Sequence, residues 1–377
     1  MRLQENVRPT DRQALLGNLQ YLRAIAAYLV VLYHARLLTP IGEIFSFDFG
    51  RAGVDIFFVI SGFIIQYVAA RDDGGRPGAF LLKRVIRIVP LYWLLTLSIA
   101  AILALVPRLA GEGGLPDAGR IVRSLLFIPY FDDAGEVHPV LFIGWTLNYE
   151  MFFYALFAAG LLIARPALRL AVVSGALLAL VALGLATAPR SAIGLTLTSP
   201  LLLEFGAGLW LGYCWRRWPM VPARPRHRAA IRLAIVIAFA ALPLSEAFWP
   251  TLPQLLKWGV PAVVIVAGAL ALERSGAGVA HRGALLLGEA SYAIYLGHPF
   301  VIKAISLLYA RLHVDAWLLH VIALCVTVAI VGIVGVAMHL LVERPLVRLL
   351  RHRLVPRARP AVAAGELGSV DSPPSNG

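Results

Sequence analysis

The chain has 377 residues, of which 59% are hydrophobic and 15% charged, and it carries a formal net charge of +13. That balance excludes an ordinary soluble globule and describes a polytopic membrane protein, with length for one integral domain and none to spare for a soluble catalytic one. The positive charge reports topology rather than nucleic-acid binding, because the arginines gather in loops between apolar runs. An all-α fold with about ten transmembrane helices is predicted, at residues 21–38, 51–70, 89–106, 142–164, 170–188, 196–214, 233–249, 257–272, 286–307 and 318–342. Basic residues outnumber those of the opposite side several-fold in alternate loops, including Arg71, Arg76, Lys83, Arg216, Arg217 and Arg224. The positive-inside rule then puts both termini in the cytoplasm.

Residues 1–20 read as a cytoplasmic N-terminal segment with no cleavable signal, because no small-residue cleavage site follows a short apolar core. Residues 21–350 read as the integral-membrane domain. The first run contains an ionisable side chain, His34, for which function is the default reading inside a membrane. Eleven positions earlier stands Arg23; on a helix the two share a face about 16 Å apart. The second run carries Asp55, and also Ser61 and Gly62, which read as small residues for close helix approach. Before the third, in FLLKRVIRIVPLYW, Arg84 and Arg87 lie three apart and present two guanidinium forks on one face, a geometry suited to phosphate. The following loop, 108–140, contains a short apolar stretch that re-enters or covers the outer face.

The fourth run carries Glu150. Gly206, Gly208 and Gly212 read as packing residues, and Cys214 and Cys325 as small apolar packing residues with no disulfide or metal expected. Pro243, Pro250, Pro253 and Pro261 kink or end helices between 233 and 272. In the ninth run, Tyr292 is a hydrogen-bonding candidate for substrate, and so is His298. His298 precedes Pro299, so satisfying a carbonyl freed by the kink is its other reading. Residues 351–377, rich in Pro, Gly, Ser and Ala toward the end, read as a disordered cytoplasmic tail.

Axial positions predict that His34, Asp55, Glu150 and His298 lie in one layer, about 18–24 Å above the inner boundary. Intramembrane ionisable groups face cavities or pair with one another, so the layer predicts a polar outer chamber. Arg23, Arg84 and Arg87 lie at the inner end. A basic inner site joined to an acid/base chamber suits acyl transfer from a cytoplasmic phosphorylated thioester to an acceptor hydroxyl near the outer face. Histidine suits the base, since its ordinary pKa near 6.5 lets it take and return a proton at neutral pH. Asp55 or Glu150 is the expected carboxylate to orient it.

Six stretches carry a family likeness: LQYLRAIAAYLVVLYH, GVDIFFVISGFII, FLLKRVIRIVPLYW, GWTLNYEMFFY, EASYAIYLGHPFVI and the closing VERPL. In these the chain resembles the membrane-bound acyltransferase family 3, which O-acylates surface polysaccharides, lipopolysaccharide O-antigens, Nod factors and some macrolides. The resemblance implies that Arg23 and His34 are the family's paired Arg and His. It further implies that Arg84 and Arg87 lie near the coenzyme A phosphates, that Glu150 is the acidic residue of the fourth span, and that Asp55, Tyr292 and His298 are site candidates.

The implied protein is a multi-pass O-acyltransferase of a bacterial inner membrane. Acyl-coenzyme A is its donor, acetyl the expected group, a glycan or lipid-linked sugar its acceptor, and surface-glycan enzymes its expected neighbours. Direct attack on the thioester and a transient acyl-histidine both fit. The alternative is a proton-coupled transporter or flippase of a lipid-linked glycan, with the same ionisable residues as a proton relay. The lack of an internal repeat counts against it.

Overall fold

The computed structural model describes residues 16–35, 48–69, 76–109, 114–217, 224–278, 281–311 and 316–355. Among them no strand occurs, and the chain is an all-α membrane protein. In chain order the helices are α1 (Gly17–Ala35), α2 (Ala52–Ala69), α3 (Pro77–Leu105), α4 (Ala118–Leu125), α5 (Trp145–Gly160), α6 (Pro166–Thr187) and α7 (Ala192–Leu197). There follow α8 (Leu202–Arg217), α9 (Pro225–Phe248), α10 (Val260–Arg274), α11 (Arg282–Glu289), α12 (Ser291–Tyr309), α13 (Trp317–Met338) and α14 (Arg344–Leu354).

Each of the ten apolar runs contains helix among its described residues, and eight helices among the described residues are long and apolar enough to cross a membrane. The two that do not qualify carry Arg23, His34 and Glu150. α1 is broken in apolarity by Asn18, Gln20, Arg23 and His34; α5 has only 16 residues. Both are packed by neighbours: α1 lies against α2, α11 and α12, and α5 against α3, α6 and α7. Such helices need not meet lipid on every side, so they tolerate polar residues that a lone span would not.

α2 is the most deeply buried of the membrane-length helices. It packs closely on α8 because glycines face one another. A Cβ on Gly62 would lie 2.1 Å from the Phe205 carbonyl oxygen, and one on Gly208 the same distance from that of Val59. Gly206 has no such need, since its nearest neighbour, Leu177 Cδ1, would sit at 3.5 Å. Cys214 and Cys325, expected as packing residues, are instead exposed on helix surfaces. A small apolar thiol is as compatible with a lipid-facing surface as with a core, and its hydropathy does not choose between them.

At the start of α1, the Glu273 carboxylate accepts the Asn18 N–H at 2.7 Å and the Gly17 N–H at 3.2 Å. An acidic group from α10 therefore caps the helix that carries Arg23 and His34. Pro243 lies inside α9, and Pro261 stands in the first turn of α10, after a π-helical turn over Leu255–Gly259. The loop before α5 is pinned to α3. Tyr92 Oη donates to the Ser124 carbonyl at 3.1 Å, and Trp93 Nε1 to that of Leu125 at 2.8 Å. Its own turn is closed by Arg120 on Asp133, a pairing that holds the Asp133 carboxyl below the usual range.

A second π-helical turn, His339–Glu343, joins α13 to α14. The resulting rod, Trp317–Leu354, has 38 residues and a length of about 57 Å, well beyond a bilayer core of about 30 Å. Its end also changes the expected tail. Residues 351–354 continue α14 because Arg, His and Leu extend the helix from VRLL without a breaker. The remainder of the tail, 356–377, and residues 1–15 of the N-terminal segment lie outside the described residues.

Candidate active site

A cavity of about 250 Å³ opens among α1, α2, α3, α5, α12 and α14. Four arginines, Arg23, Arg84, Arg87 and Arg351, line it together with Glu150, Ser61, Tyr154 and Tyr292. The structure thus brings together Arg23, Arg84, Arg87, Glu150 and Tyr292 from four separate stretches of sequence.

Each side chain is held by a neighbour. One Glu150 oxygen accepts hydrogen bonds from Ser61 Oγ, at 2.8 Å, and from Tyr154 Oη one turn later on α5. Ser61 is therefore a hydroxyl donor to the site carboxylate, not merely a small residue at a helix contact. Arg84 lies over the rings of Phe80 and Tyr154, and Arg87 lies over Tyr292, whose hydroxyl donates to the Ile88 carbonyl at 2.8 Å. Arg87 also pairs with Glu343, which is fully buried in the π-turn of the closing rod. The other Glu343 oxygen lies 2.7 Å from His339 Nδ1. The π-turn places His339 and Glu343 where a single carboxylate reaches both partners, as such turns often do at functional sites.

His34 and His298 meet directly, with His298 Nε2 3.2 Å from His34 Nδ1. They are not among the residues that line the cavity. Phe57, Thr146 and Tyr295 line its near wall, and Tyr295 belongs to the same helix as His298. The Tyr295 hydroxyl donates to the Ile143 carbonyl and meets Thr146 Oγ1, both at 2.9 Å, tying α12 to α5. In place of the single chamber expected from axial depth, the structure has a basic cavity with the histidine pair outside its lining.

The tautomers follow from the acceptors. Pro299 has no N–H to give the carbonyl four residues back, which is that of Tyr295. His298 Nδ1 lies 2.6 Å from that oxygen. A carbonyl only accepts, so Nδ1 carries the proton and Nε2 of His298 is an acceptor. His34 Nδ1 lies 2.9 Å from the Val30 carbonyl oxygen, which by the same logic makes it N–H. That N–H faces both Val30 and His298 Nε2. The remaining nitrogen, His34 Nε2, is consequently the one with a lone pair. The carbonyl-capping reading of His298 and its site reading are both satisfied by one ring.

Asp55 is placed elsewhere. Fully buried, it accepts from Gln254 Nε2 at 3.2 and 3.3 Å and lies beside Glu204 of α8. Its depth matched that of His34, but its rotation about the α2 axis turns it toward α8 and α10. The imidazole partner expected from Asp55 or Glu150 is instead His298. Tyr154, Thr146, Tyr295, Glu343, His339 and Arg351 were not anticipated. The spacings of Glu150 with Tyr154 and of His339 with Glu343, four apart in each case, were local signals for three of them.

Comparison with known sequences bears on what this arrangement does. The profile of acyltransferase family 3, described as an acyltransferase domain, matches residues 16–337. The chain belongs to that family. It is similar to the exopolysaccharide production protein ExoZ of Rhizobium meliloti (strain 1021), 37% identical over 315 residues, covering 82% of this chain and 93% of that one. The acyltransferase MdmB of Streptomyces mycarofaciens is 28% identical over 86% of each chain. The peptidoglycan O-acetyltransferase OatA of Listeria monocytogenes serovar 1/2a (strain ATCC BAA-679 / EGD-e) is 26% identical over 74% of this chain and 48% of its own. No solved structure matches. The protein is a multi-pass membrane acyltransferase.

Proposed function

We propose that this acyltransferase moves an acyl group, with acetyl the expected one, from acyl-coenzyme A to a hydroxyl of a polysaccharide or its lipid-linked precursor. Its setting is a bacterial inner membrane with both termini cytoplasmic. The relatives support the acceptor class, one being an exopolysaccharide production protein and another a peptidoglycan O-acetyltransferase. The basic cavity supports the donor. Its four arginines exceed its carboxylates, which suits a phosphorylated ligand. Small-molecule pockets usually run to about 300–1,000 Å³, so a cavity of about 250 Å³ suits the pantetheine arm with the nucleotide left at the mouth.

The observation that supports the reading is the His34–His298 contact, which puts the His34 proton on Nδ1 and the lone pair on Nε2. In direct transfer, Nε2 takes the proton of the acceptor hydroxyl as its oxygen attacks the thioester carbonyl. The C–O bond forms, the C–S bond breaks, and the imidazolium returns the proton to the departing thiolate. In the covalent route, Nε2 itself attacks the carbonyl and the C–S bond breaks with departure of the thiolate; the acceptor oxygen then displaces the imidazole, and the hydroxyl proton goes to the thiolate by way of solvent. Both routes use the same tautomer. Val30 and His298 accept from the opposite N–H and so stabilise positive charge on the ring.

Donor dependence tests the proposal. Sealed vesicles containing the wild-type chain are offered labelled acetyl-coenzyme A and lipid-linked glycans. The expected outcome is label in glycan with one free coenzyme A per label transferred. Glycan movement across the bilayer with no release of coenzyme A from any common acyl donor would overturn the reading and favour a transporter.

A further inference from the structure

Around the cavity mouth, positive charge is matched unevenly. Arg87 is paired with Glu343, itself held by His339. Arg84 and Arg351 have no acidic partner among the described residues, and Arg84 Nε is buried without a hydrogen-bond partner. Arg351 comes from the last turn of α14, where it is exposed to solvent while lining the same cavity as Arg84. α14 packs along α3, the helix of Arg84 and Arg87. Two guanidinium groups at one opening repel each other, and a buried N–H left unsatisfied costs free energy. An anion at the mouth relieves both.

The donor proposed above is a linear molecule, with its thioester at one end and a nucleotide bearing a phosphate monoester at the other. The thioester has to travel inward toward His34, so the phosphorylated end stays at the opening. A phosphate monoester carries about two negative charges and three acceptor oxygens at neutral pH, enough for two guanidinium forks.

We propose that Arg351, delivered by the closing helix, forms with Arg84 a clamp for the 3′-phosphate of the coenzyme A donor, making the C-terminal helix part of the donor site. This inference rests on the coenzyme A reading, and the experiment separates the two.

The full-length chain in vesicles is assayed with acetyl-coenzyme A and with its analogue lacking the 3′-phosphate. Variants are Arg351→Gln, Arg351→Lys and Arg353→Gln, the last making the same charge change two residues further on. Arg351 is exposed, so its replacement leaves the packing intact. With acetyl-coenzyme A, Arg351→Gln is expected to raise KM about tenfold at unchanged kcat. With the dephosphorylated donor it should add almost nothing, because the contact is already gone. Arg351→Lys recovers part of the loss, and Arg353→Gln leaves the preference between donors as in wild type. An equal rise in KM for both donors, or no rise for either, would overturn the clamp. If the wild type turns over neither donor, the coenzyme A reading itself fails and the clamp with it.

Discussion

Pro299 cannot donate to the Tyr295 carbonyl, and His298 does so in its place, which in turn leaves its Nε2 facing His34. A backbone defect thereby fixes a side-chain tautomer, and that tautomer leaves the lone pair of His34 on Nε2, the nitrogen proposed to react. The chain of cause makes a sharp distinction between substitutions at 298. His298→Leu removes the acceptor and is expected to lower kcat by about 10²-fold, at the lower end of what general-base catalysis contributes. His298→Gln keeps a side chain able to satisfy a carbonyl and to accept from His34, and should stay within about tenfold of wild type. Equal losses in the two variants, at equal membrane levels, would show that His298 acts through packing alone. His34 stands out as a candidate from the sequence alone because an ionisable group in an apolar run has few bland explanations. Arg351 was not legible, because an arginine in a basic terminal stretch reads equally well as a topology signal.

Helix rotation explains what axial position could not foresee. Counting residues along spans gives height, and it put His34, Asp55, Glu150 and His298 at one level. Azimuth depends on which faces pack, and the close α2–α8 contact at Gly62 and Gly208 turns Asp55 toward Glu204 and Gln254. Two predictions belong to this scale. Gly208→Ala drives a methyl into the Val59 carbonyl and should destabilise the bundle by about 1–3 kcal/mol, seen as a lower thermal aggregation midpoint in detergent. An unchanged midpoint would mean the two helices separate readily. Asp55→Asn keeps hydrogen bonding at the α2–α8 junction and is expected to alter acyl transfer by no more than about threefold. Glu150→Gln leaves the cavity arginines short of a counter-charge and should cost at least about tenfold. The reverse order of severity would return Asp55 to the catalytic group.

At the scale of the molecule, the fold was largely readable from hydropathy, since each of the ten apolar runs contains helix among its described residues. The exceptions to simple apolarity are informative. α1 and α5 are too polar or too short to pass as free spans, and they carry Arg23, His34 and Glu150. Polarity is affordable there because other helices enclose them. The division into a basic cavity and a histidine pair, with Phe57, Thr146 and Tyr295 between, arises only when distant stretches assemble. The most direct test is transfer of label from acetyl-coenzyme A to glycan by His34→Ala and wild type, compared at matched levels in the membrane. The account predicts that His34→Ala still binds donor with nearly the wild-type affinity, because the cavity is separate, while transfer falls to background. Wild-type transfer by His34→Ala would contradict it.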